Sequence, residues 1–249
     1  MKLTGNTIFI TGGGSGIGRG LAEALHKSGN QVIIAGRRKE RLTEVANANP
    51  GMRWVELDIE DPASISAVAG RLITDFPKLN VLINNAGIMQ IDDASTAIDE
   101  NLLVTTLVTN VMGPIRMTGA LIEHLKRQPN AAVINNSSVL AFVPLAMTAV
   151  YSASKAALHS YTMSLRYKLK DTPVKVLEIA PPWVQTDLLG SNNEPRAMPL
   201  ADFVEETVRV LGTEAEEVLV ERAKPLRNNA GPDEAAFVFQ FNDMMANPQ

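Results

Sequence analysis

The sequence predicts an α/β fold, an open parallel sheet with helices on both of its faces. Three observations lead there. Short runs rich in Val and Ile alternate with helical patterns from residue 7 to about residue 180. Most of those runs lack polar/apolar alternation, as strands covered on both faces do. The strand–helix rhythm is that of βαβ units, which lay their helices on both sides of one sheet.

The strand candidates are Thr7–Thr11, Gln31–Ala35, Arg53–Leu57, Asn80–Asn84, Ala131–Asn135 and Val174–Ala180. Between them lie helix candidates 16–28, 38–48, 61–75, 97–127 and 150–170. Asp61-Pro62 opens the third helix well, because Pro62 falls on the first turn, where a missing N–H costs nothing. Leu188–Leu200 breaks the pattern with Gly190, Asn192, Asn193, Pro195 and Pro199. It reads as a mobile substrate loop between a strand and the next helix. Glu217–Val220 reads as a further strand, and no element is assigned after Lys224. Helices 97–127 and 150–170 carry apolar or small residues on more than one face, including Ala153, Ala156, Ala157 and Leu165. One face packs on the sheet, and the second calls for another partner.

Composition narrows the class. The 249 residues are 45% hydrophobic, 5% aromatic and 20% charged, which excludes a disordered or collagen-like chain. That is enough core for one domain over residues 1–249. A net charge of −4 gives no reason to expect nucleic acid or an anionic membrane as partner. Zero cysteines exclude disulfides, thiolate metal sites and cysteine nucleophiles, and suit a cytoplasmic protein. The apolar run ending at Thr11 is too short for a secretory signal. The apolar stretch Ala131–Tyr151 is interrupted by Asn135, Asn136, Ser137 and Ser138, so no membrane span is expected. His26, His124 and His159 are scattered without ligand spacing. Each reads as a surface or helix-face residue, and no metal is expected.

Ile8-Phe9-Ile10-Thr11-Gly12-Gly13-Gly14-Ser15-Gly16-Ile17-Gly18 is a strand running into a glycine turn and then a helix. A helix N-terminus offers unpaired N–H groups and partial positive charge, and glycines let a pyrophosphate approach the backbone. A Walker loop is excluded because Arg19-Gly20 stand where Lys-Ser/Thr is needed. A nucleophile elbow is excluded by the residues flanking Ser15. A nucleotide site remains. Further on, Tyr151 and Lys155 lie four apart on one helix face. Ser138 ends a strand before them, Asn84-Asn85-Ala86-Gly87 ends another, and Asn110 sits inside the long helix between.

With Thr11-Gly12-x-x-x-Gly16-x-Gly18, Asn84-Asn85-Ala86-Gly87, Asn110, Ser138 and Tyr151-x-x-x-Lys155, the chain resembles the short-chain dehydrogenase/reductase family over residues 7–187. The phrases Pro181-Pro-x-Val-Gln-Thr-Asp-Leu188 and Tyr151-Ser-Ala-Ser-Lys-Ala-Ala-Leu-His-Ser-Tyr161 look like the bacterial subgroup named after the D-alanine transfer operon. The resemblance implies a doubly wound Rossmann fold with a seven-stranded parallel sheet. It also implies hydride transfer between a nicotinamide cofactor and a carbonyl/alcohol substrate, in a homodimer or homotetramer.

By resemblance Tyr151 is the acid/base, Lys155 lowers its pKa and holds the nicotinamide ribose, and Ser138 binds the substrate oxygen. Asn110 holds a water that relays protons. Gly12, Gly14, Ser15, Gly16, Ile17 and Gly18 take the pyrophosphate. Asp58 falls where the family touches the adenine ring, Asn84 and Gly87 line the cofactor groove, Thr186 meets the carboxamide, and Ile59, Ala86 and Val184 are further cofactor-binding residues. The chemistry agrees, since reducing a carbonyl needs hydride at carbon and a proton at oxygen, and a free Tyr at about 10 is too weak an acid near neutrality. Pro182 departs from the family pattern, which has glycine there, and removes a backbone N–H on the cofactor side.

Cofactor choice is read from the end of the second strand, Gly36-Arg37-Arg38. NAD sites place an acidic side chain there for the ribose 2′-OH. Two guanidinium groups suit a 2′-phosphate instead, so NADP(H) is expected over NAD(H), with Arg37 the main determinant and Arg38 the more solvated. Met89, Phe142, Met147, Trp183, Leu188, Leu189 and Met198 follow strand ends or the motifs and serve either the core or an apolar substrate wall. A cofactor-sensing regulator on the same fold is the alternative function. Such a protein can dispense with the acid/base, whereas Ser138, Tyr151, Lys155 and Asn110 are all present.

Overall fold

A computed structural model describes residues 1–229 and 231–246. Its strands are β1 (Thr7–Thr11), β2 (Gln31–Gly36), β3 (Arg53–Glu56), β4 (Leu79–Asn84), β5 (Ala132–Asn136), β6 (Lys175–Ile179) and β7 (Glu217–Val218). The helices are α1 (Gly16–Lys27), α2 (Lys39–Ala48), α3 (Pro62–Asp75), α4 (Glu100–Leu107), α5 (Gly113–Leu125), α6 (Ala149–Leu169), α7 (Leu200–Leu211), α8 (Lys224–Arg227) and α9 (Glu234–Ala246). All seven strands run parallel in the order β3-β2-β1-β4-β5-β6-β7. The fold is therefore the doubly wound Rossmann arrangement. The order reverses between β1 and β4, and the crevice outside the C-terminal ends of those two strands is where such sheets bind ligands.

The two faces are built by the strand alternation itself. Ile8 and Ile10 turn to one side and join Leu21 and Leu25 of α1, Leu42 and Val45 of α2, and Phe203 and Leu211 of α7. Phe9 turns to the other and joins Ile65 and Leu72 of α3, Met117 and Leu121 of α5, and Leu169 of α6. The helix opened by Asp61-Pro62 forms as its sequence directs, with the Asp61 carboxylate accepting from Ala63 N at 2.8 Å.

The long helix expected over 97–127 divides. Asp99 caps α4, and a π-helical turn over Val108–Met112 separates α4 from α5. Pro114 explains the turn. It has no N–H to offer the Asn110 carbonyl four residues earlier, and Gly113 N–H reaches back to the Val108 carbonyl instead. The turn widens the helix at Asn110, a residue with no exposed surface.

At the N-terminal end of the sheet three asparagines close on one another. Asn30 Oδ1 accepts from Asn6 N and Asn6 Nδ2, both at 2.9 Å, while its Nδ2 donates to the carbonyls of Leu3 and Leu25, both at 2.7 Å. Asn80 Nδ2 donates to Asn6 Oδ1 at 3.0 Å, and Asn80 Oδ1 accepts from Thr7 N at 3.0 Å.

Two differences from the sequence reading lie near the C-terminus. The loop over 188–200 is tied down: Trp183 Nε1 donates to Ser191 Oγ at 2.9 Å, and Gln185 N donates to the Met198 carbonyl at 2.9 Å. Beyond Lys224, where no element was expected, α8 and α9 form. α9 escapes a pattern search because Phe237, Val238, Phe239, Phe241, Met244 and Met245 surround it, leaving no stripe. Asn242 fastens it to the Pro144 carbonyl at 3.0 Å and to Ala146 N. No described helix is long and apolar enough to cross a membrane.

Candidate active site

The glycine turn leaves β1 and is pinned by the β4 exit. Thr11 Oγ1 accepts from Asn85 N and Ala86 N, both at 3.0 Å, and Asn85 Nδ2 donates to the Thr11 carbonyl at 3.0 Å. Gly12 (φ 69) and Gly16 (φ 52) occupy the left-handed region that favours glycine. A side chain on Gly18 would fall 2.3 Å from Asn85 Nδ2 and from the Gly12 carbonyl oxygen, so Gly18 lets the turn close on β4. Ser15 is the N-cap of α1 but makes no side-chain cap, and the first turn has no acidic residue. The Gly16, Ile17 and Gly18 end of the helix therefore keeps its positive character for an anion. Gly14 faces Arg41 and Leu42 of α2, and Gly16 faces Thr186, whose Cβ would be 3.5 Å from a Cβ on Gly16. Thr186 and Val184 are buried beside the turn, Val184 in an isolated bridge to Met198. These groups fit a dinucleotide: a glycine cradle, an uncapped helix N-terminus, and a second wall at Thr186.

Asn84 has another duty. Its side chain is 1% exposed and turns under the sheet edge, where Nδ2 donates to Thr118 Oγ1 at 3.0 Å and Asn135 Oδ1 at 2.9 Å. The residue that meets the glycine turn is Asn85. Gly87 is open toward the cluster, since a Cβ there would lie 3.3 Å from Asn110 Oδ1 and 3.5 Å from Lys155 Nζ. Asp58 Oδ1 accepts from Glu60 N at 3.0 Å, and Ile59 packs closely on Gly113.

The two arginines are engaged differently. Arg37 Nη1 is bound to Glu60 Oε1 at 2.9 Å, a carboxylate that comes from the β3–α3 turn and stands far away in sequence. Arg38 is the one that reaches the glycine turn, donating from Nη2 to Ser15 Oγ at 2.9 Å.

Tyr151 and Lys155 come from α6, and Ser138 from the turn after β5. All three are buried at the C-terminal edge of the sheet. Lys155 Nζ donates to the Asn136 carbonyl at 2.8 Å and stands 5.5 Å from the Tyr151 ring centre. Burial pushes the Tyr151 hydroxyl up to about 12, against a hydrogen bond from Ser138 that pulls it down. The lowering expected of Lys155 does not appear here: burial, which disfavours the phenolate, sets the direction and Ser138 alone opposes it. Burial also pulls Lys155 down to about 8, against the attraction of Glu178. Asn110 uses its side chain on the Ile88 backbone, Oδ1 accepting from N and Nδ2 donating to O, both at 2.9 Å. Its Nδ2 also donates to Ser154 Oγ at 3.0 Å, so the β4 exit is clamped to α6.

Sequence reasoning missed Asn136, whose Nδ2 donates to Asn85 Oδ1 at 2.8 Å and joins the glycine turn to the Lys155 bond. Its place at the end of β5, two residues before Ser138, was the available signal. Of the histidines read as surface or helix-face residues, two lie on helix faces that are packed in. His124 is 5% exposed and meets the Leu79 carbonyl at 3.0 Å; His159 meets Glu178 Oε2 at 2.8 Å.

This sheet, with a glycine turn closed on one strand exit and a buried Ser–Tyr–Lys group at the next, defines an α/β oxidoreductase. The model of the short chain dehydrogenase family matches residues 6–197, and the chain belongs to that family. It is 37% identical over 249 residues to DltE, an uncharacterised oxidoreductase of Bacillus subtilis (strain 168), covering 97% of this chain and 98% of the relative. A short chain dehydrogenase from Burkholderia cenocepacia J2315, solved with NADP, superposes with a TM-score of 0.85 at 29% identity, over 96% of this chain and 98% of that one. The 3-ketoacyl-(acyl-carrier-protein) reductase of Brucella melitensis, solved with NADH, gives 0.78 at 29% identity, over 86% and 93%.

Proposed function

We propose that the chain is an NADP(H)-dependent oxidoreductase acting on a carbonyl/alcohol pair, with Tyr151 as the acid/base. The observation that carries this is the burial of Ser138, Tyr151 and Lys155 together beside an uncapped glycine turn. The turn over Gly12, Gly14, Ser15, Gly16, Ile17 and Gly18 would hold the pyrophosphate, Asp58 and Ile59 the adenine side, and Ala86, Gly87, Val184 and Thr186 the nicotinamide side. When bound, the nicotinamide supplies or accepts the hydride at the substrate carbon.

The chain's own residues handle the oxygen. Tyr151, held protonated past neutrality, donates its proton to the oxygen as negative charge develops there. The Ser138 hydroxyl, its Oγ held by Leu140 N at 3.1 Å, turns its hydrogen from Tyr151 to the same oxygen when substrate binds. Lys155 stands over the Tyr151 ring as the cation that steadies the phenolate left behind. The proton is replaced along the α5 side, where Pro114 leaves the Asn110 carbonyl without its helical partner.

Arg38, already on Ser15, and Arg37, on moving from Glu60, supply the charge for a 2′-phosphate. Met147, four residues before Tyr151, and Leu188 and Leu189, just after Thr186, are exposed and suit a substrate with an apolar portion. The outer surfaces of α4, α6 and the π-turn expose Val104, Met112, Met163 and Tyr167, and Ala153, Ala156 and Ala157 are open on α6. A second copy covering them gives a cytoplasmic homo-oligomer. The test is oxidation of NADPH and of NADH against a panel of aldehydes, ketones and quinones. Turnover with NADPH on at least one carbonyl is expected, and none on any member overturns the reading in favour of a cofactor sensor.

A further inference from the structure

Glu178 lies in β6 with no exposed surface, in a strand whose buried neighbours Val176, Leu177 and Ile179 are apolar. Its register partner on one side is Asn135 of β5, and on the other Glu217 of β7. Asn135 reaches α6 through Thr162 Oγ1 at 2.8 Å, and Glu178 reaches the same helix through His159 Nδ1 at 2.8 Å. Two carboxylates thus stand side by side in the sheet. Arg227 takes the Glu217 pair at 2.7 and 2.9 Å, whereas Glu178 Oε1 has no hydrogen-bond partner among the described residues. His159, Glu178 and Glu217 bring ligand-type atoms within 4.8 Å of one another. Those atoms are engaged with Arg227 and with each other, so the cluster reads as an ion network. Arg227 also lies over the Phe142 ring at 4.5 Å, and that ring meets His159 edge-on.

Tyr151, Lys155 and His159 are spaced by four on α6 and form one stripe facing this end of the sheet. The Asn136 carbonyl that holds Lys155 belongs to the residue next to Asn135, the cross-strand partner of Glu178. A buried carboxylate needs nearby cations. Those facing Glu178 are Lys155 from α6 and Arg227 from α8, with the His159 ring of α6 hydrogen-bonded to it and the Glu217 carboxylate of β7 opposing them. A buried ammonium needs an anion for the same reason, and Glu178 is the acidic group that acts on Lys155.

We propose that Glu178, oriented by His159, is a positioning residue whose negative charge keeps Lys155 in its ammonium form. It acts through Lys155 and touches neither substrate nor cofactor. Burial alone drives Lys155 toward the neutral amine, and the carboxylate opposes that drift. The inference rests on the reading of Lys155 as part of the catalytic group.

The test titrates Lys155 without turnover. Competitive labelling of the full chain with acetic anhydride over a pH series, read at Lys155 by mass spectrometry, gives its protonation midpoint. Glu178→Gln, which keeps shape and removes charge, is expected to lower the midpoint by about one pH unit or more. Glu178→Asp, which keeps charge and changes shape, is expected to stay near wild type. Should Glu178→Gln fail to fold, Glu178→Ser is the second neutral variant, with the same downward shift expected. A midpoint unmoved in the neutral variants, or moved more by Asp than by Gln, assigns Glu178 a packing role and overturns the proposal. The titration stands apart from the carbonyl panel, so loss of the enzyme reading leaves this result readable.

Discussion

The two ends of one sheet are both finished in asparagine and use it differently. At the N-terminal end Asn6, Asn30 and Asn80 spend their amides on each other and on backbone groups, and none of their side-chain atoms is left without a partner. At the C-terminal end Asn84 and Asn135 tie the strand exits to α6, Asn85 and Asn136 tie them to the glycine turn, and Asn110 bonds Ser154 of α6. There Asn84 Oδ1, Asn136 Oδ1 and Glu178 Oε1 are buried without partners among the described residues. A closed network rigidifies; an incompletely satisfied one is tolerated where the fold is holding something else in place. The same residue type marks stability at one end and function at the other.

That contrast can be broken by substitution. Removing the Ser138 hydroxyl acts at the functional end only: Ser138→Ala is expected to lower kcat by about 10²–10³-fold on any accepted carbonyl, with an unchanged melting curve. Asn30→Ala acts at the other end. It leaves the Leu3 and Leu25 carbonyls and the Asn6 donors without their partner, and is expected to destabilise by about 3 kcal/mol in urea unfolding while kcat per folded molecule stays put.

How much of this could be read in advance follows the same division. The strands were legible because buried parallel strands are written as unbroken apolar runs, and the glycine turn because left-handed backbone at Gly12 and Gly16 and close approach at Gly18 call for glycine. Tyr151, Lys155 and Ser138 were legible as a spaced group. Partners brought from afar were not: Glu60 on Arg37, Asn136 under Lys155 and Glu178 against His159 each depend on strand order. The π-turn was present in principle, since Pro114 four residues after Asn110 forbids a regular ladder there. α9 was hidden by its all-round apolar surface.

Lys155 sharpens the comparison, because a group kept for function at a cost in stability belongs to one end alone. Its pKa of about 8 lies below the usual lysine value of 10.5, so the folded chain binds fewer protons than the unfolded one between those pH values. Stability therefore rises with pH across that window, and the cost of burying the ammonium is full below it. Lys155→Met is expected to be more stable by about 2 kcal/mol at neutral pH, after the lost bond to Asn136 is subtracted, and to lose that advantage by about pH 10.5. Urea melts of both proteins across that range check it. Least in magnitude is the cofactor end of the turn. Arg38→Ala is expected to weaken NADPH binding about tenfold and NADH binding little in isothermal titration, with Arg37→Ala weaker in effect because Glu60 already occupies it.

The most direct measurement is single-turnover hydride transfer by Tyr151→Phe, beside the wild type, on a carbonyl that the wild type reduces. The substitution removes one hydroxyl and leaves the ring under Lys155 in place. The account predicts NADPH binding within about twofold of wild type and a rate lower by about 10³-fold or more. A rate near that of the wild type would contradict the assignment of proton transfer to Tyr151.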